Sequence, residues 1–236
     1  MMQQHTGQMG FDTTHWSVVI AAKGDDTKAK VALRKLCELY RVPIMRHIER
    51  TLQTYSPQRY GGRNAEDLTH DFLAQLLEEG MFEHLERQRG RFRSYLLGAV
   101  QHFLSNVRQR ESTTKRGGGF VHVSMHDGIP QADEVEMFDR DWAQMTIDRA
   151  VASLGNSPET QSLLPYLTRE ISAEDRTSLA TKLGKSEAGI KVALHRLRKK
   201  FRENVREQIC ETVECVSEVD AELNHLVRAC AGLGLY

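Results

Sequence analysis

The chain has 236 residues, 40% of them apolar, and its 32 basic and 32 acidic side chains leave no formal net charge. No uninterrupted apolar run reaches the roughly 18 residues that a membrane-spanning helix needs. The opening MMQQHTGQMGFDTTHW has neither the basic start nor the apolar stretch of an export signal, so a cytoplasmic protein of two compact modules is expected.

Helical patterns dominate in chain order. From Lys28 to Tyr40, Val31, Ala32, Leu36 and Leu39 recur at helical steps, and Pro43 is expected to start a second segment, PIMRHIERTL. TYSPQRYGGRN holds Pro57, Gly61 and Gly62 and reads as a loop. AEDLTHDFLAQLLEEG then sets Leu68, Phe72, Leu73, Leu76 and Leu77 on one face, with Glu66, Asp67, Asp71 and Gln75 beside it and Gly80 as the stop. RGRFRSYLLGAVQHFLSNVRQR reads as a long helix with Phe92, Leu96, Ala99, Val100, Phe103 and Val107 at helical spacing and arginines at both ends. Gly117 to Gly119 break it, a linker without a period runs to about Val135, and a second helical block begins near Glu136. No strand pattern and no tandem repeat stands out.

Charge is segregated along this plan. Arg63 to Glu86 holds seven acidic residues against one basic, and Arg87 to Arg116 holds eight basic against one acidic. Lys182 to Arg202 repeats the second ratio, and Glu203 to Tyr236 swings to seven acidic against two basic. A zero total therefore hides cationic surfaces of the kind that phosphate backbones require.

The four cysteines, Cys37, Cys210, Cys215 and Cys230, form no CxxC pair and read as buried or incidental thiols. His122 and His126 have a zinc-like spacing, but no thiolate or carboxylate sits at a matching offset, so no metal site and no cofactor are expected. No phosphate-cradling glycine loop and no nucleophile elbow occurs, which leaves no catalytic residue to name.

The second block holds the sharpest motif. Ser172, with Asp175 three residues later, fits a capping box that starts a helix. Leu179 and Leu183 face one side, Ala180 lets a second helix pass closely, and Gly184 permits the turn. Ser186 is placed to cap the next helix, where Ile190, Leu194, Leu197 and Phe201 make a buried stripe opposite Lys191, His195, Arg198, Lys199 and Arg202. Such a pair matches a helix-turn-helix whose second helix enters the major groove. Lys185 stands where such motifs more often carry an apolar residue.

In order and rough spacing, AEDLTHDFLAQLLE, RGRFRSYLLGAVQHFL and SLATKLGKSEAGIKVALHRLRKKF resemble bacterial RNA polymerase sigma factors of the extracytoplasmic-function (ECF) group. The resemblance covers about Ala29 to Arg116 and Asp139 to Arg202, and TTHWSVV and KRGGG are similar to a subgroup of such proteins. It implies an all-α fold of two small helical domains joined by a flexible linker, the second containing a helix-turn-helix, plus a helical C-terminal extension. The implied divisions are an N-terminal segment 1–27, a domain for core polymerase and the −10 element at 28–116, a linker at 117–135, a −35 domain at 136–202 and an acidic extension at 203–236.

The same resemblance implies roles. Glu66, Asp67, Asp71 and Gln75 would face the clamp of the polymerase β′ subunit, with Leu68, Phe72 and Leu76 divided between core and interface. Arg89, Arg91, Arg93, Arg108 and Arg110, continued by Lys115 and Arg116, would form a cationic track for melted −10 DNA, with Tyr95 as the aromatic beside the displaced strand. Phe92 and Phe103 read as core. Relatives commonly carry Arg-Asn where Gln101 and His102 stand, which changes the base preference expected there. Lys185, Ser186, Glu187, Gly189, Lys191, Val192, His195, Arg196 and Lys199 would meet −35 duplex, with Arg198 and Arg202 on phosphate or in solvent. Core RNA polymerase and promoter DNA are the implied partners, and an anti-sigma protein is compatible with the group.

Three other classes remain open on the residues alone. A helix-turn-helix regulator would bind promoters without polymerase and would not need the two upstream helices. A nuclease would use the carboxylates of Ala65 to Glu79, and an interaction scaffold would need only the acidic tail. The tail itself, with Val205, Ile209, Val213, Val219, Leu223 and Leu226 at helical steps, would either fold over the basic surface, meet another protein or extend the second core.

Overall fold

The computed structural model describes residues 27–78, 92–114, 132–213 and 216–231, and every regular element among them is helical. The opening TTHWSVV, the KRGGG run, the expected Gly80 stop and linker glycines, His122, His126 and Cys215 lie outside them. No helix among the described residues is long and apolar enough to cross a membrane. By contacts the chain divides into two units, Met1–Val135 with Cys210–Asp220, and Glu136–Ile209 with Ala221–Tyr236.

In the first unit α1 (Thr27–Tyr55) runs through Pro43 as one helix, where the sequence pattern suggested two. The proline removes the donor that would meet the Leu39 carbonyl, a cost of about 3 kcal/mol in a helix interior. Leu36, Tyr40, Ile44 and Ile48 nevertheless stay on one stripe, each at most 1% exposed. Their burial, at about 1.5–3 kcal/mol for each large side chain, outweighs the lost hydrogen bond.

The stretch expected as a plain loop contains a 3-10 turn, Pro57–Tyr60, whose Tyr60 is buried. Asn64 then caps α2 (Ala65–Glu78), its Oδ1 accepting the Asp67 N–H at 2.8 Å. Helix α3 (Phe92–Thr114) packs Leu96, Val100, Phe103 and Val107 inward, and the Phe103 ring meets that of Phe72 at 5.6 Å.

Helix α4 (Ala132–Ala152) starts four residues before Glu136, with Asp133 and Glu134 in its first turn, where the exposed N–H groups of a helix favour negative charge. A short α5 (Pro158–Leu163) is capped by Ser157, whose Oγ accepts the Thr160 N–H, and a 3-10 turn, Leu164–Tyr166, follows. Helices α6 (Ala173–Leu183) and α7 (Glu187–Cys210) complete the second core. Leu154, Leu163, Tyr166, Leu179, Ala180, Ile190, Leu194 and Leu197 form its apolar cluster, with Leu183, Ala193 and Phe201 packed at its margin.

The expected boundary between 202 and 203 falls inside α7, because Asn204, Val205 and Ile209 continue its buried side. The Asn204 amide donates to the Ala150 carbonyl at 3.0 Å. Beyond a 3-10 turn at Val216–Glu218 comes α8 (Val219–Ala231). His225 of α8 contacts Asp139 of α4 at 2.7 Å and lies against Trp142, which is 1% exposed. Of the three roles open to the tail, this docking supplies the packing one: α8 helps to cover α4.

Candidate nucleic-acid and polymerase interface

The turn between α6 and α7 follows the expected chemistry. Ser172 Oγ accepts the Asp175 N–H at 3.0 Å and starts α6, and Gly184 ends it at φ 63°. Ser186 Oγ accepts the Gly189 N–H at 3.1 Å and opens α7. With Ile190, Leu194 and Leu197 buried, Lys191, Val192, His195, Arg196 and Lys199 are all exposed. Their steps of one, three and four residues place them on one face of the helix.

Within that face the residues sort into two rows. Lys185, Gly189, Val192 and Arg196 share the wall of an open groove of about 670 Å³, which also exposes Glu159. Lys185 Nζ pairs with the Glu159 carboxylate at 2.6 Å, which occupies a cation standing where an apolar residue is usual. Lys191, His195 and Lys199 form the adjoining row, with Lys199 3.8 Å from Glu203.

Arg198 and Glu187 of the same segment also bond to other parts of the protein. Arg198 donates to the Tyr166 carbonyl at 2.9 Å and to the Arg169 carbonyl at 2.6 Å, fastening α7 to the chain ahead of α6. It fastens the fold, a role that the expectation of a phosphate or solvent contact did not include. Glu187, counted among the residues facing DNA, accepts from Arg176 Nε at 2.8 Å and Thr177 Oγ1 at 3.0 Å. The Arg176 and Thr177 hydrogen bonds, with the Arg176 and Lys191 charges, hold its carboxyl below the ordinary range. It ties the first turn of α7 to α6.

On α2 the exposed face carries Glu66, Asp67, His70 and Asp71, with Gln75 half-buried at its edge. Glu66 pairs with Arg41 at 3.0 Å and Asp71 with Arg63 at 2.7 Å. Exposed pairs of this kind contribute about 0–1 kcal/mol and exchange readily for another partner. Leu68, Phe72 and Leu76 are each at most 2% exposed, so all three belong to the core and none divides toward an interface.

On α3 the arginines do not form one surface track. Arg93 is 3% exposed because it shares the inward stripe of Leu97, Val100 and Leu104; spacing, rather than charge, decides its direction. Arg108 is half-buried over the Tyr55 ring, and Arg110 is exposed. Tyr95 is half-buried, and burial, with Cys37 beside it, pushes its hydroxyl up to about 12. Gln101 and His102 are half-buried; the Gln101 amide donates to the Glu134 carboxylate at 2.8 Å, and His102 Nδ1 lies 3.3 Å from the Asn106 amide. Arg89, Arg91, Lys115, Arg116 and the side chain of Phe92 lie outside the described residues. The Arg198 fastening, the Glu134 cover and the Tyr55–Arg108 pair have no signal in local spacing, since each joins residues at least 29 positions apart.

Comparison with known proteins gives one match. A family model described as ECF sigma factor matches residues 14–207, and no curated protein and no solved structure matches the chain. That span takes in α1 through most of α7, with the acidic face of α2 and the cationic face of α7 both inside it. The chain belongs to the ECF sigma factor family, whose members serve transcription initiation with core RNA polymerase and promoter DNA.

Proposed function

We propose that this sigma factor divides its work along the two units. Glu66, Asp67 and Asp71, with Gln75 at the edge, dock on the clamp of the β′ subunit, where Arg41 and Arg63 give way to cations of the polymerase. Arg108, Arg110, Gln101 and His102 attend the melted −10 strand, which requires Gln101 to leave Glu134. Lys191, Val192, His195 and Arg196 meet base edges or adjoining phosphates of the −35 duplex, and Lys199 meets phosphate. An anti-sigma protein would compete for the same exposed faces.

One observation carries this reading most directly: α7 exposes Lys191, His195, Arg196 and Lys199 on one side while burying Ile190, Leu194 and Leu197 on the other. An apolar anchor under a cationic face is the arrangement a groove-reading helix needs. The division of labour is testable on permuted −35 duplexes. Lys191→Ala should lose discrimination among sites, whereas Lys199→Ala should weaken all of them alike and flatten the salt dependence. Equal losses on every site for both variants would contradict it.

A further inference from the structure

Helix α1 ends abruptly at Tyr55, because Ser56 takes φ 67° and ψ 132° and Pro57 follows. Ser56 is the only residue other than glycine with positive φ among the described residues. Backbone held in such a region costs about 1–3 kcal/mol and persists where its surroundings over-determine it. The bend leaves Tyr55 43% exposed, and it is the only aromatic among the exposed large apolar side chains described. Leu52, Gln53, Tyr55, Pro57 and Arg59 line an open surface groove there.

Cations converge on this corner. The Arg108 guanidinium lies 5.6 Å from the centre of the Tyr55 ring, and Arg59 is exposed in the next turn. Beneath them, burial raises the Tyr60 hydroxyl pKa while Arg108 and Arg59 pull it down, so both charges act on the same spot. Arg63 is spoken for by Asp71 and the Tyr60 carbonyl. The Glu111 carboxylate lies against Gly61, where a Cβ would come within 2.9 Å of it. An exposed ring with one guanidinium over it and a second in the next turn combines the groups of a single-strand platform, where a base stacks on an aromatic and the phosphates find a cation.

We propose that Tyr55, with Arg108 and Arg59 beside it, is a stacking platform for one unstacked nucleotide of single-stranded promoter DNA, the guanidinium groups taking its flanking phosphates. This rests on the reading that the first unit holds melted DNA, and it gives the aromatic role to Tyr55, since Tyr95 is half-buried. Stacking tolerates any sequence, so a mixed-sequence strand serves as the probe.

The full chain is titrated with that single strand, with the corresponding duplex and with ATP, comparing wild type with Tyr55→Ala, Tyr55→Leu and Tyr55→Phe. Tyr55→Ala should weaken strand binding roughly five- to hundredfold, the range that loss of one stacked base produces. Tyr55→Leu, which keeps the apolar bulk without a ring, should lose as much, Tyr55→Phe should stay near wild type, and duplex binding should not change. Wild-type affinity in Tyr55→Leu would overturn the platform while leaving strand binding by the first unit intact. Displacement of the strand by ATP at equal nucleotide concentration would assign the site to a free nucleotide and overturn the DNA assignment. Absence of strand binding in wild type would overturn both readings.

Discussion

Gly184 shows how narrowly a single residue can be specified. Its φ of 63° suits glycine, and a Cβ added there would meet nothing within 4 Å, so the cost of a side chain is conformational alone. Gly184→Ala should therefore lower stability by about 1–2 kcal/mol, and Gly184→Asn should recover part of that loss, both read as urea midpoints. Arg198 supplies a second residue-scale test. Arg198→Ala strands the carbonyls of Tyr166 and Arg169, and should cost about 1–3 kcal/mol of stability. The salt slope of DNA binding should stay as in wild type, whereas a phosphate contact would reduce it by about one.

Glu187 adds a pH effect whose sign follows from its partners. Its carboxyl titrates lower in the folded protein than in the unfolded chain, chiefly because Arg176 and then Thr177 donate hydrogen bonds to it. The link to α6 is thus complete above the ordinary carboxylate range and is lost as pH falls through the lowered value. Glu187→Gln should make unfolding less sensitive to acid and leave behaviour near neutrality unchanged in its pH slope.

Among the elements, the helices whose inward stripes repeat at three and four residues were legible from spacing, as were the caps at Ser172 and Ser186. What spacing did not reveal were competitions settled by tertiary burial. Pro43 reads as a break, yet α1 continues because Ile44 and Ile48 stay in the core. Arg93 reads as a surface cation, yet its place in the stripe turns it inward. The tail reads as a separate block by charge, yet Asn204, Val205 and Ile209 lie on the buried side of α7.

Two element-scale predictions follow from those contacts. Removing residues 216–236 deletes His225 from beside Trp142 while sparing α7, so tryptophan emission should move to the red and the domain should become less stable. Unchanged emission would mean that α8 does not cover α4 in solution. Glu134→Ala removes the acceptor that holds the Gln101 amide, and should raise single-strand affinity by a few-fold if the strand and Glu134 compete for that amide. No gain would separate Gln101 from the strand.

At the scale of the whole molecule, a chain with no net charge keeps an acidic face on one unit and a cationic face on the other. Two charged helices in order were legible from the sequence, and the family match over residues 14–207 spans both. The partners of individual side chains were not legible, because Glu134, Tyr55 and Tyr166 reach their contacts only through the fold. The central claim is that the acidic face of α2 delivers the promoter-reading helix to polymerase. It is tested most directly by mixing the purified full chain with core RNA polymerase, separating the complex by size and repeating the experiment with Glu66→Lys and Asp71→Lys combined. Co-elution of the wild type, lost or reduced at least tenfold in the double variant, is the predicted result; a wild-type chain that never associates with core polymerase would contradict the account.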